Sequence, residues 1–162
     1  IQAGYILVDK DDTVIRQYET YIKPTRHKRL TKRTLKFLTL TQADVDAGVS
    51  FEVFYHHLRK TLADHDPAII VWGKNDFLAL DEAYELNGVP SLEGDSRFVN
   101  LLQLHKNYFR YKDDVGLKTA FTMYGNTLET QRHDAYEDAW MTKKVFEGFR
   151  HWINHESGDP LK

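Results

Sequence analysis

Residues 132–140 read R-H-D-A-Y-E-D-A-W. Ionisable and aromatic side chains crowd together here, just where a long helical period begins. Asp134 and Glu137 stand three apart, the spacing of a capping box, in which the first residue caps a helix and the second reaches back to it. The stretch therefore predicts a helix from about residue 135 to residue 153. It also sets His133 just before the cap and Asp138 four residues into the helix, the two positions that fold against each other in a hydrophobic staple. Here the pair is an imidazole and a carboxylate. Asp138 shares a helical face with Val145 and Phe149, seven and eleven residues on. A carboxylate on an apolar stripe needs compensation, which a divalent cation, an arginine or a hydrogen-bond network can supply.

Upstream of this helix, turn signals and apolar runs divide the chain. Residues 4–9 (G-Y-I-L-V-D) and 14–23 (V-I-R-Q-Y-E-T-Y-I-K) read as strands around the turn D-K-D-D-T, a hairpin ended by Pro24. Residues 41–47 read as a short helix. Ser50 caps a longer one, with Phe51, Phe54, Tyr55, Leu58 and Leu62 as its apolar stripe. Residues 68–72 (A-I-I-V-W) form a continuous apolar run, expected as a buried central strand. A helix follows over about 77–86, stopped by Asn87-Gly88. A strand over 97–100, helices near 101–109 and 116–124, and the helix after Asp134 complete the series. Hairpin first, then alternating helices and strands, implies an α/β layer architecture. The chain opens at Ile1 inside an apolar run, so that a further strand is expected before it.

Composition bounds the function. In 162 residues, 41% are hydrophobic, 13% aromatic and 28% charged, which suits one domain with a core. The expected domain is 1–155, N-terminally incomplete, with 156–162 as a tail. No run of eighteen apolar residues is present, so no membrane partner is expected. The absence of cysteine excludes disulfides and thiolate metal sites, and a cytoplasmic location is expected. A net charge of −2 does not mark a nucleic-acid binder overall, yet residues 23–36 carry seven Lys/Arg and no acid. That stretch is either a solvated loop and helix face or a surface that meets phosphates. Asp76 follows the A-I-I-V-W strand by four residues. It is either a helix cap or a metal ligand at the C-terminal side of a strand, where sites gather in open α/β sheets.

H-D-A-Y-E-D (133–138) resembles the H-x-A-x-x-D motif of the DEDDh 3′–5′ exonucleases, the DnaQ-like group within the RNase H-like fold. W-G-K-N-D (72–76) resembles that family's second motif, with an Asp after the central strand. I-Q-A-G-Y-I-L-V-D, Y-E-T-Y-I-K-P, the segment L-T-K-R-T-L-K-F-L-T-L-T-Q-A-D-V-D-A-G, F-V-N-L-L-Q-L-H and V-G-L-K-T-A-F-T-M-Y-G stand in the family's order, over roughly residues 1–150. The likeness is greatest to the branch of KapD-type proteins and ERI-type RNA exonucleases.

The resemblance implies a mixed sheet flanked by helices and a hydrolase that removes nucleotides from the 3′ end of single-stranded nucleic acid, RNA favoured over DNA. It implies Asp76 and Asp138 as metal ligands, His133 as the general base, and a pair of Mg²⁺ or Mn²⁺ ions. It also implies a D-x-E motif on a first strand, which is absent from this chain. Asp9-Lys10-Asp11 is no substitute, because it falls in a hairpin turn. A site built on Asp76 and Asp138 alone is under-liganded, so the chain by itself can be inert. The alternative reading is a non-catalytic exonuclease-like module that binds nucleic acid or a protein partner.

Overall fold

The computed structural model describes residues 2–38, 40–92, 98–127 and 134–155. Strands β1 (Gln2–Val8) and β2 (Val14–Tyr21) pair antiparallel, in register from Gln2↔Tyr21 to Leu7↔Arg16, with a shift before Val8↔Val14. Asp9 makes the turn between them. Its Oδ1 accepts from the backbone N–H groups of Asp11 and Thr13, each at 2.9 Å, and Asp12 adopts the left-handed conformation at φ 63°. Short aspartate side chains tolerate that region and mimic a backbone turn.

Helices α1 (Lys32–Leu38) and α2 (Gln42–Asp46) lead into α3 (Phe51–His65). Thr41 caps α2 in a full capping box with Asp44, and the Ser50 hydroxyl accepts from Val53 N–H at 3.3 Å to start α3. Strand β3 (Ile69–Val71) pairs parallel with β4 (Phe98–Asn100). Between them runs α4 (Asn75–Asn87), closed by Gly88 at φ 63°. Helices α5 (Leu101–Phe109), α6 (Leu117–Met123) and α7 (Ala135–His155) follow.

Two findings differ from the sequence reading. Among the described residues the strands form two separate pairs, one antiparallel and one parallel. The A-I-I-V-W run yields only three strand residues, each half-buried.

The helices make the core in two parts. Phe51, Phe54 and Tyr55 of α3 pack with Ile22, Ala83 and Tyr84, and Ala3 and Tyr18 of the hairpin lie against them. Leu101 of α5, Ala120 and Phe121 of α6, and Met141, Val145 and Phe149 of α7 make the second cluster, against which Ile70 and Trp72 pack. Helix α7 touches both strand pairs. Its start lies on Gly4, and its Arg150 bonds Asp12 in the hairpin turn, so it runs beside β1 from end to end. No helix of the described residues is long and apolar enough to cross a membrane.

Candidate active site

The first turn of α7 is held by two contacts. Asp134 Oδ1 accepts from Glu137 N–H at 2.6 Å, which is the forward half of the expected capping box. Below it, α7 meets β1 at Gly4. A Cβ there would stand 2.7 Å from the Ala135 carbonyl carbon and 2.7 Å from Tyr136 N. Strand and helix backbones approach this closely only because Gly4 has no side chain and Ala135 a small one.

Acids collect around this turn. Glu137 and Asp138 lie in it, where the helix dipole favours negative charge. Glu137 Oε2 is buried and has no hydrogen-bond partner among the described residues. Tyr21, at the end of β2, has its phenol pKa pushed up by loss of solvation, with the charges of Glu19, Asp44 and Asp134 adding to the effect. Glu19, Thr20, Tyr21, Asp44, Ala47 and Gly48 line a shallow groove of about 290 Å³.

Asp138 itself faces solvent, although Met141, Thr142, Val145 and Phe149 beyond it are buried. The expectation that it projects into the core is therefore corrected. Its helical direction matches that of Val145 and Phe149, but the core does not extend to the first turn.

Asp76 lies in the first turn of α4, just beyond β3. It does not cap the helix, which corrects that alternative: Lys74 holds the cap position, without a side-chain bond, after Gly73 turns the chain at φ 92°. Asp76 keeps a solvent-facing surface. The protein around its carboxyl nevertheless raises the pKa above the usual carboxylate value by loss of solvation, against the pull of its own backbone N–H. Beside it, at the C-terminal ends of β3 and β4, opens a groove of about 470 Å³ whose wall includes Trp72, Lys74, Asn75, Asn100 and Gln103. Trp72 is fixed by its indole N–H, which donates to Val115 O at 3.1 Å.

Asp76 and Asp138 thus open two helices, α4 leaving β3 and α7 lying across both β1 and β3. His133 lies outside the described residues. Among the described residues no group of three or more His, Cys, Asp or Glu side chains could hold a metal ion. The sequence reading missed the buried Glu137 oxygen, because the capping-box spacing gave that side chain a structural task. It also missed Gly4, whose role depends on a helix 131 residues away in the chain.

A family model described as Exonuclease (RNase_T) matches residues 1–146. A relative from Bacillus subtilis (strain 168), named probable 3′-5′ exonuclease KapD, is 33% identical over 147 residues, which is 90% of this chain and 70% of the relative. Among solved structures, the nuclease domain of 3′hExo, a DEDDh family member bound to rAMP, superposes with a TM-score of 0.80. It is 13% identical, and the match covers 96% of this chain and 81% of that one. A structure of 3′-end specific recognition of histone mRNA stem-loop by 3′-exonuclease superposes with a TM-score of 0.81 at 12% identity, over 96% of this chain and 72% of that one. At such identities these two matches establish the fold, which is RNase H-like.

Proposed function

We propose, from the premise that this chain belongs to the DEDDh-type 3′–5′ exonuclease family, that it serves metal-dependent hydrolysis of single-stranded nucleic acid from the 3′ end, with RNA preferred. The observation that carries this reading is positional. Asp76 lies at the exit of β3 and Asp138 in the first turn of α7, which supports reading them as the carboxylates of the family's second and third motifs. The preference for RNA takes support from the histone mRNA and rAMP named for the two solved relatives. A cytoplasmic site of action belongs to the same proposal.

The donors fit a hard divalent cation in kind. Asp76 and Asp138 offer carboxylate oxygens, and the buried Glu137 Oε2 beside Asp138 in sequence has no hydrogen-bond partner among the described residues. When bound, a pair of Mg²⁺ or Mn²⁺ ions neutralises charge on the phosphodiester and on its leaving oxygen. Asp76 and Asp138 would supply two of the carboxylates that hold such a pair, a set that is under-liganded by itself. His133 takes a proton from the attacking water as its oxygen bonds to phosphorus and the bond to the 3′ oxygen breaks. The products are a nucleoside 5′-monophosphate and a strand shorter by one residue.

The test is degradation of 5′-labelled and 3′-labelled RNA and DNA oligonucleotides with Mg²⁺, with Mn²⁺ and with EDTA. A ladder shrinking from the 3′ end, mononucleotide release and arrest by EDTA are expected. Internal cuts, or cutting that EDTA leaves untouched, would refute the proposal. A second reading is a module that binds nucleic acid or a protein partner and does not cut. Oligonucleotide binding with no cutting under any metal condition selects it.

A further inference from the structure

We propose that residues 23–36 form a fixed cationic platform that grips the phosphate backbone of a single strand outside the cleavage site. The identity of the strand as nucleic acid rests on the exonuclease reading. Arg26, Lys28 and Arg29 in the loop after β2, and Lys32, Arg33 and Lys36 on α1, are all exposed. Among the described residues no ion pair engages any of them. With Lys23 they make seven cations and no acid, which leaves 15 Lys/Arg against 24 Asp/Glu, a net of −9, in the rest of the chain. The charge is segregated, not mixed.

The backbone beneath these side chains is pinned. Gln42 of α2 reaches across the loop: its amide Nε2 donates to Lys28 O at 3.0 Å, and its Oε1 accepts from Leu30 N–H at 3.0 Å. Thr25 donates from its hydroxyl to Asn87 at the end of α4, at 3.2 Å. The Lys23 N–H donates to Val49 O at 2.9 Å. The acids that flank the stretch in sequence have partners of their own, Glu19 accepting from Gln2. Asp44 accepts from the Thr41 backbone N–H, and Asp46 accepts from the same Gln42 amide.

A free loop would let like charges drift apart. This one holds them together, at a repulsive cost that a polyanion relieves. The platform also begins two residues beyond Tyr21, and Tyr21 stands within the field of Asp134 at the head of α7. Phosphate gripping of this kind reads charge, and neither base nor sugar.

The experiment is fluorescence anisotropy of labelled single-stranded RNA in EDTA, so that binding is read whether or not the chain cuts. Long (~20-nucleotide) and short (~4-nucleotide) strands are compared over a salt series. Replacing three cations, Arg26→Ala with Lys28→Ala and Arg29→Ala, is expected to weaken the long strand about tenfold or more at low salt and to reduce the log–log salt slope by about 2. The short strand should be nearly unaffected, RNA and DNA should lose equally, and Arg26→Lys with Arg29→Lys should retain binding. A control triple elsewhere, Lys10→Ala with Arg59→Ala and Lys112→Ala, should change the long strand far less. Equal losses in the two triples, or no loss in the first, overturn the platform. So does binding to vesicles of anionic lipid that depends on the six cations while RNA binding does not. Failure of the unaltered chain to bind any strand also overturns it, while the degradation assay separately judges the exonuclease reading. Thermal melts of both triples check that the fold is intact, and a charge reversal on α1, Lys32→Glu with Arg33→Glu, must weaken the long strand independently.

Discussion

Gly4 has no side chain because α7 begins where one would be. Gly4→Ala would drive a methyl group to within 2.7 Å of the Ala135 and Tyr136 backbone, which has no flexible end to yield. Overpacking of this kind costs about 1–3 kcal/mol, and urea unfolding should show that loss. Asp138 shows how far a sequence reaches at this scale. Its direction relative to Val145 and Phe149 was legible, since seven and eleven residues return to nearly the same face of a helix. What lies opposite was not legible, because period carries no information on where the core ends. The consequence is testable. A buried carboxylate gains stability when neutralised, but Asp138 is exposed at the positive end of a helix dipole. Asp138→Asn should therefore lower stability slightly, by about 0.3–1 kcal/mol, while abolishing metal-dependent cleavage. A rise in melting temperature would return Asp138 to the core. His133→Ala is expected to depress turnover by about 10²–10⁴-fold and to leave strand binding in EDTA unchanged. Turnover equal to that of the unaltered protein would remove the imidazole from the chemistry.

At the scale of elements, the helices with stripes and caps were readable. Ser50 and Gly88 mark helix ends in the sequence, and the structure uses both of them there. Helix α1 was not distinguished as a helix, because its charges hide any apolar period. Strand β3 was read as fully flanked, since an apolar run says that faces are covered but not which partner covers them. The packing of α3 on the hairpin carries a cluster that no local pattern announces. Tyr5 Oη lies 2.7 Å from His57 Nε2 and 3.0 Å from the Thr61 hydroxyl, the Tyr18 ring stacks on His57 at 3.9 Å, and Arg16 donates to Thr61. Burial, and then the Arg16 guanidinium, hold the His57 imidazole below its ordinary pKa of 6.5. The unfolded chain therefore takes up the proton more readily than the folded one. Stability is full above the unfolded value and is lost as pH falls from there toward the folded pKa. Urea midpoints at about pH 8 and about pH 5 should differ less in His57→Gln than in the unaltered protein. An identical difference in both would show that this imidazole does not contribute to the acid sensitivity.

Across the whole molecule, the order of elements indicated an α/β layer architecture, and the motifs H-D-A-Y-E-D and W-G-K-N-D carried the resemblance that gave the fold. The division of the strands into two pairs was not readable, since pairing depends on neighbours distant in the chain. That division gives α7 an architectural role. The two core clusters share no buried residue: one belongs to the hairpin, α3 and α4, the other to α5, α6 and α7. What joins them is α7, which lies on β1 and β3 and ties Arg150 to the hairpin turn. If α7 is the clamp, a loss in the second cluster must be felt in the first. Met141 is 2% exposed and sits in the second cluster, so Met141→Ala should cost about 2–5 kcal/mol. Trp72 and Trp140 pack against that cluster, whereas far-ultraviolet circular dichroism also reports α3 and α4. Fluorescence and dichroism should follow one coincident urea transition in the unaltered chain, and the substitution should move both by the same amount. A fluorescence transition that shifts alone, leaving α3 and α4 to melt where they did before, would mean that the hairpin half folds by itself. The head of α7, with Asp134, Glu137 and Asp138, would then be held in place by the hairpin without help from the cluster behind it.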